Sequence, residues 1–454
     1  MGELHFLSGD HLKRRDFLKK GAVACGGIAF TAPFPVFSGT APAVGNTPDE
    51  LTISAVIVQR AGGRRKTPVA PNAYAEYRGY EVSEKILRIQ TEQGLEGVTE
   101  LYANPEKRKQ ALSRLIGKDP FSFFHWKDER VVGIRGEYRD FVDELYGADI
   151  ALFDLMAKAM RRPVADLLGT RVRESVDVYD SSLYMEDLIP PEKREGLVYL
   201  DGNWPDDPVE AVVRKAEWIT RQARGIKIFK VKVGRSKWME SFDKAMARDI
   251  EVILALRESL GEEYTLFVDG NDGYDEKPVA VKTFLSETDS ADVYAMEEMF
   301  DHRKIDEYIQ IKRLLIDSGM QTNLADGEIR GIPDESLSVR VRKPDGDGPL
   351  FDINQPDMNW MGYMRMKRIA DRSRKYGVNI APHNFGSEIG VYVQVHIALV
   401  TPNWEFCEAD DSEFPAYRAP GVEIRDGKAS LTGAPGLGVE LETGELGEVI
   451  YRLS

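Results

Sequence analysis

Six residues able to bind a cation or move a proton, Lys232, Asp269, Glu297, Glu328, Asp357 and His383, follow one another at intervals of 37, 28, 31, 29 and 26 residues. Each ends a short β-rich run, and amphipathic helical runs lie between them. The expected strands are residues 175–179, 226–233, 265–269, 293–297, 322–328, 351–357, 379–383 and 404–408, with helices such as 208–224, 241–260, 303–317 and 363–376 in the gaps. Strands alternating with helices at about one βα unit each predict an α/β fold with a parallel sheet. A TIM-type (β/α) barrel is the economical closure, because its strand C-termini converge on one mouth and gather groups remote in sequence. An open doubly wound sheet is the competing arrangement.

The residue types point to one kind of chemistry. Removing a proton next to a carboxylate creates an enediolate, whose charge water stabilises poorly. Asp269, Glu297 and Glu328 offer hard oxygen ligands suited to Mg²⁺. Lys230 and Lys232 alternate with apolar residues and so share one face of their strand. Mutual repulsion and burial are expected to lower at least one lysine pKa and make a base available. Asp357, one strand before His383, can orient the imidazole and favour its charged form. Glu408 ends the last strand and is expected to stabilise the enediolate if protonated, with Glu405 competing for that role. Taken singly, each has an ordinary reading as a surface acid, a solvated strand lysine or a packed histidine.

The first part of the chain reads differently. A strand over 51–60, a Gly/Arg/Pro-rich loop over 61–72, a second strand over 85–91 continuing past a turn to Glu100, and helices over 105–116 and 139–168 make an α+β domain. Before it, Lys13-Arg14-Arg15-Asp16-Phe17-Leu18 precedes a Gly/Ala-rich apolar stretch and Ala41-Pro42-Ala43, so residues 1–45 resemble a twin-arginine export signal. That predicts a periplasmic enzyme, with a cytoplasmic one as the alternative. Cys25 falls in this segment and leaves Cys407 alone, which excludes an intramolecular disulfide and a Cys-based zinc site in the exported chain. The net charge of -15 argues against a general nucleic-acid binder, and the mature sequence has no apolar run long enough for a membrane span.

Together these residues resemble the enolase superfamily and, within it, the mandelate racemase / muconate lactonizing enzyme group. The matching pieces are Ala148 to Asp154, Pro163 to Gly169, Lys230-Val231-Lys232, Val268-Asp269-Gly270-Asn271, Glu297-Glu298, Gly327-Glu328, Gln355-Pro356-Asp357, Pro382-His383 and Pro435 to Val439. The resemblance implies a modified barrel over 171–414 and an N-terminal α+β capping domain over 50–170, with 415–454 packing back on the cap. It implies one Mg²⁺ per subunit on Asp269, Glu297 and Glu328, with Asn271 supporting the metal strand. Lys232, tuned by Lys230, and His383, paired with Asp357, would face opposite sides of the substrate α-carbon. A homo-oligomer is also implied. The resemblance places the basic loop bearing Arg60, Arg64 and Arg65 over the mouth, where it would hold a small anionic substrate. Met299 after Glu297-Glu298, Met361-Gly362-Tyr363, and an apparent insertion over 333–348 depart from the family pattern.

Dehydration of an acid sugar to a 2-keto-3-deoxy acid is the favoured reaction. Racemisation or epimerisation of a 2-hydroxy acid is the alternative, and a non-catalytic sugar-acid-binding barrel is the alternative of another class. A barrel metallohydrolase is disfavoured, since such sites draw on several histidines.

Overall fold

The structure, a computed structural model, describes residues 51–454 apart from 103 and 329, so the export-signal segment lies outside the described residues. Strands β1 (Ile53–Val69), β2 (Gly79–Thr91) and β3 (Glu96–Glu100) form an antiparallel meander, with Val58 opposite Leu87 and Leu87 opposite Thr99. The expected loop over 61–72 is largely strand: Arg60 to Arg64 pair in register with Lys85 to Glu81. Its glycines mark a close approach, since a Cβ on Gly63 would stand 2.6 Å from the Phe414 ring.

The expected helix over 139–168 is three helices, α2 (Arg139–Leu145), α3 (Asp149–Ala159) and α4 (Val164–Leu168), following α1 (Pro105–Ser113). Positive φ at Tyr146 and Arg161, together with Pro163, interrupts it. Helix α3 lies directly on β3, where a Cβ on Gly97 would meet the Ala151 carbonyl at 2.1 Å. The buried Asp154 carboxylate accepts from Val98 N at 2.8 Å and Leu437 N at 2.7 Å, so a charge inside an apolar helix is paired and satisfied.

Eight parallel strands follow: β4 (Ser175–Leu183), β5 (Ile228–Lys232), β6 (Thr265–Asp269), β7 (Ala295–Glu297), β8 (Asn323–Asp326), β9 (Ile353–Asn354), β10 (Asn379–Ile380) and β11 (Phe406–Ala409). Strand β11 pairs with β4, and a bridge between Ile380 and Trp404 joins β10 to the segment entering β11. The ring therefore closes as a barrel, and the open-sheet alternative falls. Phe267, Ala295, Ala325, Ile353 and Ala381 fill its interior, with Phe406 and Tyr294 packed against them. Small alanines opposite one phenylalanine let the layer interdigitate.

Helices α5 (Val209–Thr220), α6 (Phe242–Leu260), α7 (Ala280–Glu287), α8 (Ile305–Ser318), α9 (Met358–Lys375) and α10 (Glu388–Ala398) cover the outside. Between β8 and β9, a single turn at Asp334–Leu337 and a hairpin of Arg340–Lys343 with Gly346–Pro349 stand where a barrel helix is expected, and they occupy the apparent insertion. After β11 the chain returns to β1 through β12 (Ser412–Glu413) and, at its end, β13 (Val449–Leu453). The intervening hairpin Val422–Arg425 with Lys428–Leu431 adds instead to β4, so the C-terminal segment serves both sheets.

Candidate active site at the barrel mouth

Register brings the lysines and carboxylates together. Lys232 on β5 stands opposite Asp269 on β6, which stands opposite Glu297 on β7. Lys232 Nζ lies 2.5 Å from Asp269 Oδ2. Lys230, two residues earlier on the same face, reaches Glu408 Oε1 at 2.9 Å, Glu297 Oε2 at 3.1 Å and Asp269 Oδ2 at 3.5 Å. All are buried, with Lys230 only 1% and Lys232 9% exposed.

These contacts correct two expectations. Burial pulls both lysine pKa values down, but the surrounding carboxylates outweigh it and the repulsion between the ammonium groups, so both are raised. Glu408 is likewise not held protonated. Burial favours its neutral form, yet Lys230, His383 and the Asn384 N–H, 2.6 Å from Oε2, pull its pKa below the usual value. Glu405 belongs elsewhere: it accepts from Asn379 at the start of β10 rather than facing the mouth.

The other half of the set lies just past the strands. Strands β8, β9 and β10 end before Glu328, Asp357 and His383, which stand on the following turns. His383 Nδ1 donates to Asp357 Oδ2 at 2.9 Å, and its Nε2 lies 3.2 Å from Glu328 Oε1. Burial would lower the imidazole pKa, but Glu328, the hydrogen bond to Asp357 and the Glu408 charge push it up to about 10. Asp357 is itself fixed, because its Oδ1 caps helix α9 through Trp360 N at 2.8 Å.

Asp269, Glu297 and Glu328 suit a divalent cation. Asp269 and Glu297 are buried neighbours on adjacent strands, and Glu328 follows the next one. Burial and the Asp269 charge push Glu297 up to about 7, while burial with Glu328 and Asp326 pushes Glu298 up to about 10. Such crowding of negative charge calls for a cation. Asn271 donates its backbone N–H to Asp269 at 3.0 Å, and its buried side-chain Oδ1 has no hydrogen-bond partner among the described residues. Glu328 is turned towards His383, and among the described residues no three His, Cys, Asp or Glu side chains are gathered around one point. The donor set fits Mg²⁺ by its chemistry, three hard carboxylates that follow one another on successive barrel units, with Lys232 on Asp269, Lys230 on Glu297 and His383 on Glu328 balancing its charge.

The basic loop is redistributed. Arg60 pairs with Glu448 and Arg64 with Glu81, both exposed on the cap surface. Arg65 is buried in a fork with Asp410, just beyond β11, with its guanidinium 4.9 Å from the Phe385 ring centre. It ties the cap to the barrel. As strand residues, all three have their reach set by cross-strand neighbours rather than by a loop over the mouth.

Other residues complete the site without having been given a role from the sequence. Gln355 donates to Glu297 at 2.8 Å, and its two-residue spacing from Asp357 was the available signal. Gln394 accepts from Glu408 N at 2.9 Å; a lone amide within the apolar run Val391 to Ala398 was its signal. Tyr102, from the cap, packs edge-on against the Trp360 ring, and burial together with the Asp357 and Glu328 charges pushes its hydroxyl pKa up; nothing in its sequence context marked it.

Residues 64–169 match the family described as the mandelate racemase / muconate lactonizing enzyme N-terminal domain, and residues 211–445 match the enolase C-terminal domain-like family. The chain is 26% identical over 375 residues to an L-talarate/galactarate dehydratase of Salmonella typhimurium, covering 80% of this chain and 81% of that one. It is 27% identical over 323 residues to a D-galactarolactone cycloisomerase of Agrobacterium fabrum, covering 67% and 73%. Among solved structures, a galacturonate dehydratase from a Geobacillus species, complexed with D-galacturonate and 5-keto-4-deoxy-D-galacturonate, superposes with a TM-score of 0.69 at 23% identity over 88% and 96% of the two chains. The Salmonella dehydratase with Mg and L-lyxarohydroxamate gives 0.63 at 23% identity over 92% and 99%.

Proposed function

We propose, from the premise that this chain belongs to the mandelate racemase / muconate lactonizing enzyme group of the enolase superfamily, that it is a Mg²⁺-dependent dehydratase of acid sugars. The observation that carries this reading is the order of groups around the ring. Lys232 on the second barrel strand and His383 past the seventh flank the arc of Asp269, Glu297 and Glu328 from either side. The dehydratase names of relatives such as the Salmonella enzyme support it.

In this reading Asp269, Glu297 and Glu328 hold Mg²⁺, supported by Asn271. The chemistry supplied by the bound ion is neutralisation of the negative charge that develops on the substrate carboxylate. Lys232, which Asp269 and Glu297 hold as the ammonium in this structure, would first give its own proton to solvent and then take the α-proton as the amine. His383, held charged by Asp357, gives its Nε2 proton to the departing β-hydroxyl, so one water leaves and the resulting enol tautomerises to a 2-keto-3-deoxy acid. Lys230 bridges Glu297 and Glu408 and keeps the floor of the site ordered.

Incubating the purified chain and Mg²⁺ with a panel of sugar acids tests this. Semicarbazide-reactive 2-keto acid is expected, and its loss on chelation with unchanged circular dichroism. No product across a broad panel would sink the dehydratase reading. Because acid/base groups lie on both flanks, epimerisation is the second reading, and solvent deuterium entering the α-carbon with the hydroxyl retained would select it. Export through the twin-arginine route is part of the same proposal; a chain whose cellular location is unchanged in Arg14→Lys/Arg15→Lys would count against it.

A further inference from the structure

The cap segment 70–78, which joins β1 to β2, is tied to the barrel at several points. Met185 N donates to Pro71 O at 3.0 Å, Trp238 Nε1 to Asn72 O at 2.7 Å and Lys237 Nζ to Tyr74 O at 2.8 Å. Asn72 Oδ1 folds the segment on itself by accepting from Tyr74 N and Ala75 N. A Cβ on Gly234, two residues past Lys232, would lie 3.3 Å from Ala73 Cβ, so this segment borders the mouth.

Arg78 ends the segment. Its guanidinium carbon is 5.5 Å from the ring centre of Phe385, two residues beyond His383, and 5.9 Å from that of Tyr74. Nearby arginines are committed to carboxylates: Arg64 to Glu81, Arg65 to Asp410, Arg235 to Asp187. Arg78 has ring contacts but no carboxylate partner among the described residues, and it is exposed. A guanidinium resting on aromatic rings keeps its edge donors free, in the planar fork that fits a carboxylate. The mouth is otherwise crowded with acids, so a cation held on the cap side marks a place for a second negative group.

We propose that Arg78 receives the distal carboxylate of the substrate, which makes the preferred substrates dicarboxylic sugar acids rather than monocarboxylic ones. The inference rests on the sugar-acid reading of the site. The proximal carboxylate goes to the barrel carboxylate arc and its ion, and the distal one is read by the cap.

The test is calorimetric binding of galactarate and galactonate, which differ at the terminal carbon, to the Lys232→Ala chain with Mg²⁺. Galactarate is expected to bind about tenfold or more tightly, the usual worth of one charge-assisted fork. Adding Arg78→Gln is expected to erase the difference, Arg78→Lys to keep part of it, and Arg64→Gln to leave it intact. In the active chain, Arg78→Gln is expected to raise KM for galactarate by about the same factor while kcat changes little. Equal affinity for the two acids, a preference that survives Arg78→Gln, or no binding of galactarate would overturn the assignment. If the binding preference follows Arg78 but no sugar acid of the panel is turned over by the unaltered chain, dehydration falls and the carboxylate site stands.

Discussion

The two flanks of the mouth are built by different means. On the lysine flank, β5 and β6 are five residues long, and Lys232, Asp269 and Glu297 hold their places through strand register. On the histidine flank, β9 and β10 are two residues long, and Glu328, Asp357 and His383 lie beyond the ladder. Side chains replace the missing backbone pairing there. Asn354 Oδ1 accepts from Ile332 N at 2.8 Å and its Nδ2 donates to Ser373 Oγ at 3.0 Å. Asp357 caps α9, and Glu84 of the cap accepts from Glu388 N at 3.1 Å at the start of α10. A ladder tolerates changes of side chain that keep the strand, whereas side-chain braces are lost with a single substitution.

If the flanks act on opposite faces of the substrate, removing either group breaks the reaction in its own way. Lys232→Ala and His383→Asn are each expected to lower kcat by about 10²–10⁴. Only Lys232→Ala should also stop α-proton exchange with solvent deuterium, followed by NMR; loss of exchange in both would deny the division of labour. Asp357→Asn keeps an oxygen to cap α9 but removes the charge that supports the imidazolium. Its kcat should fall by about 10–100-fold, and the alkaline limb of its pH profile should move to lower pH as the His383 pKa drops. An unmoved limb would deny that Asp357 acts through His383.

Asn354→Ala tests the brace itself. It leaves the buried Ile332 N–H and Ser373 hydroxyl without this partner, and should cost about 1–3 kcal/mol in denaturant unfolding. No change in stability would mean the histidine flank does not depend on it.

A smaller effect comes from His396 on α10. It accepts from Ala165 N and donates to Leu437 O, and burial pushes its pKa down to about 4. The unfolded chain takes up a proton near the ordinary value of about 6.5, while the folded one resists until about 4. Stability should therefore be lost as pH falls through that window, and the change in Tm between pH 7 and 4 should shrink in His396→Gln. An identical pH dependence in both would deny the assignment.

Much of the site could be read from the chain because chemistry and period coincide: an acid or base at the end of each βα unit is a pattern that loops do not produce by accident. Lys230 and Lys232 on one face follow from the two-residue strand repeat, and the pairing of Asp357 with His383 from neighbouring units. Less legible were the basic residues. Gly62-Gly63 reads as a loop until Phe414, some 350 residues later, is seen to need the space. Arg65 looked like a substrate group until Asp410 came beside it.

The order of functional groups around a ring, and the kind of ion they can hold, were determined by the sequence alone, because strand period and residue type are local. The charge states were decided by tertiary structure. Whether Lys232 is lifted or lowered, whether Glu408 is ionised, and whether an arginine is spent on a neighbour or left for a ligand depend on which opposite charges come within a few ångströms, and only the closed barrel and its cap set those distances.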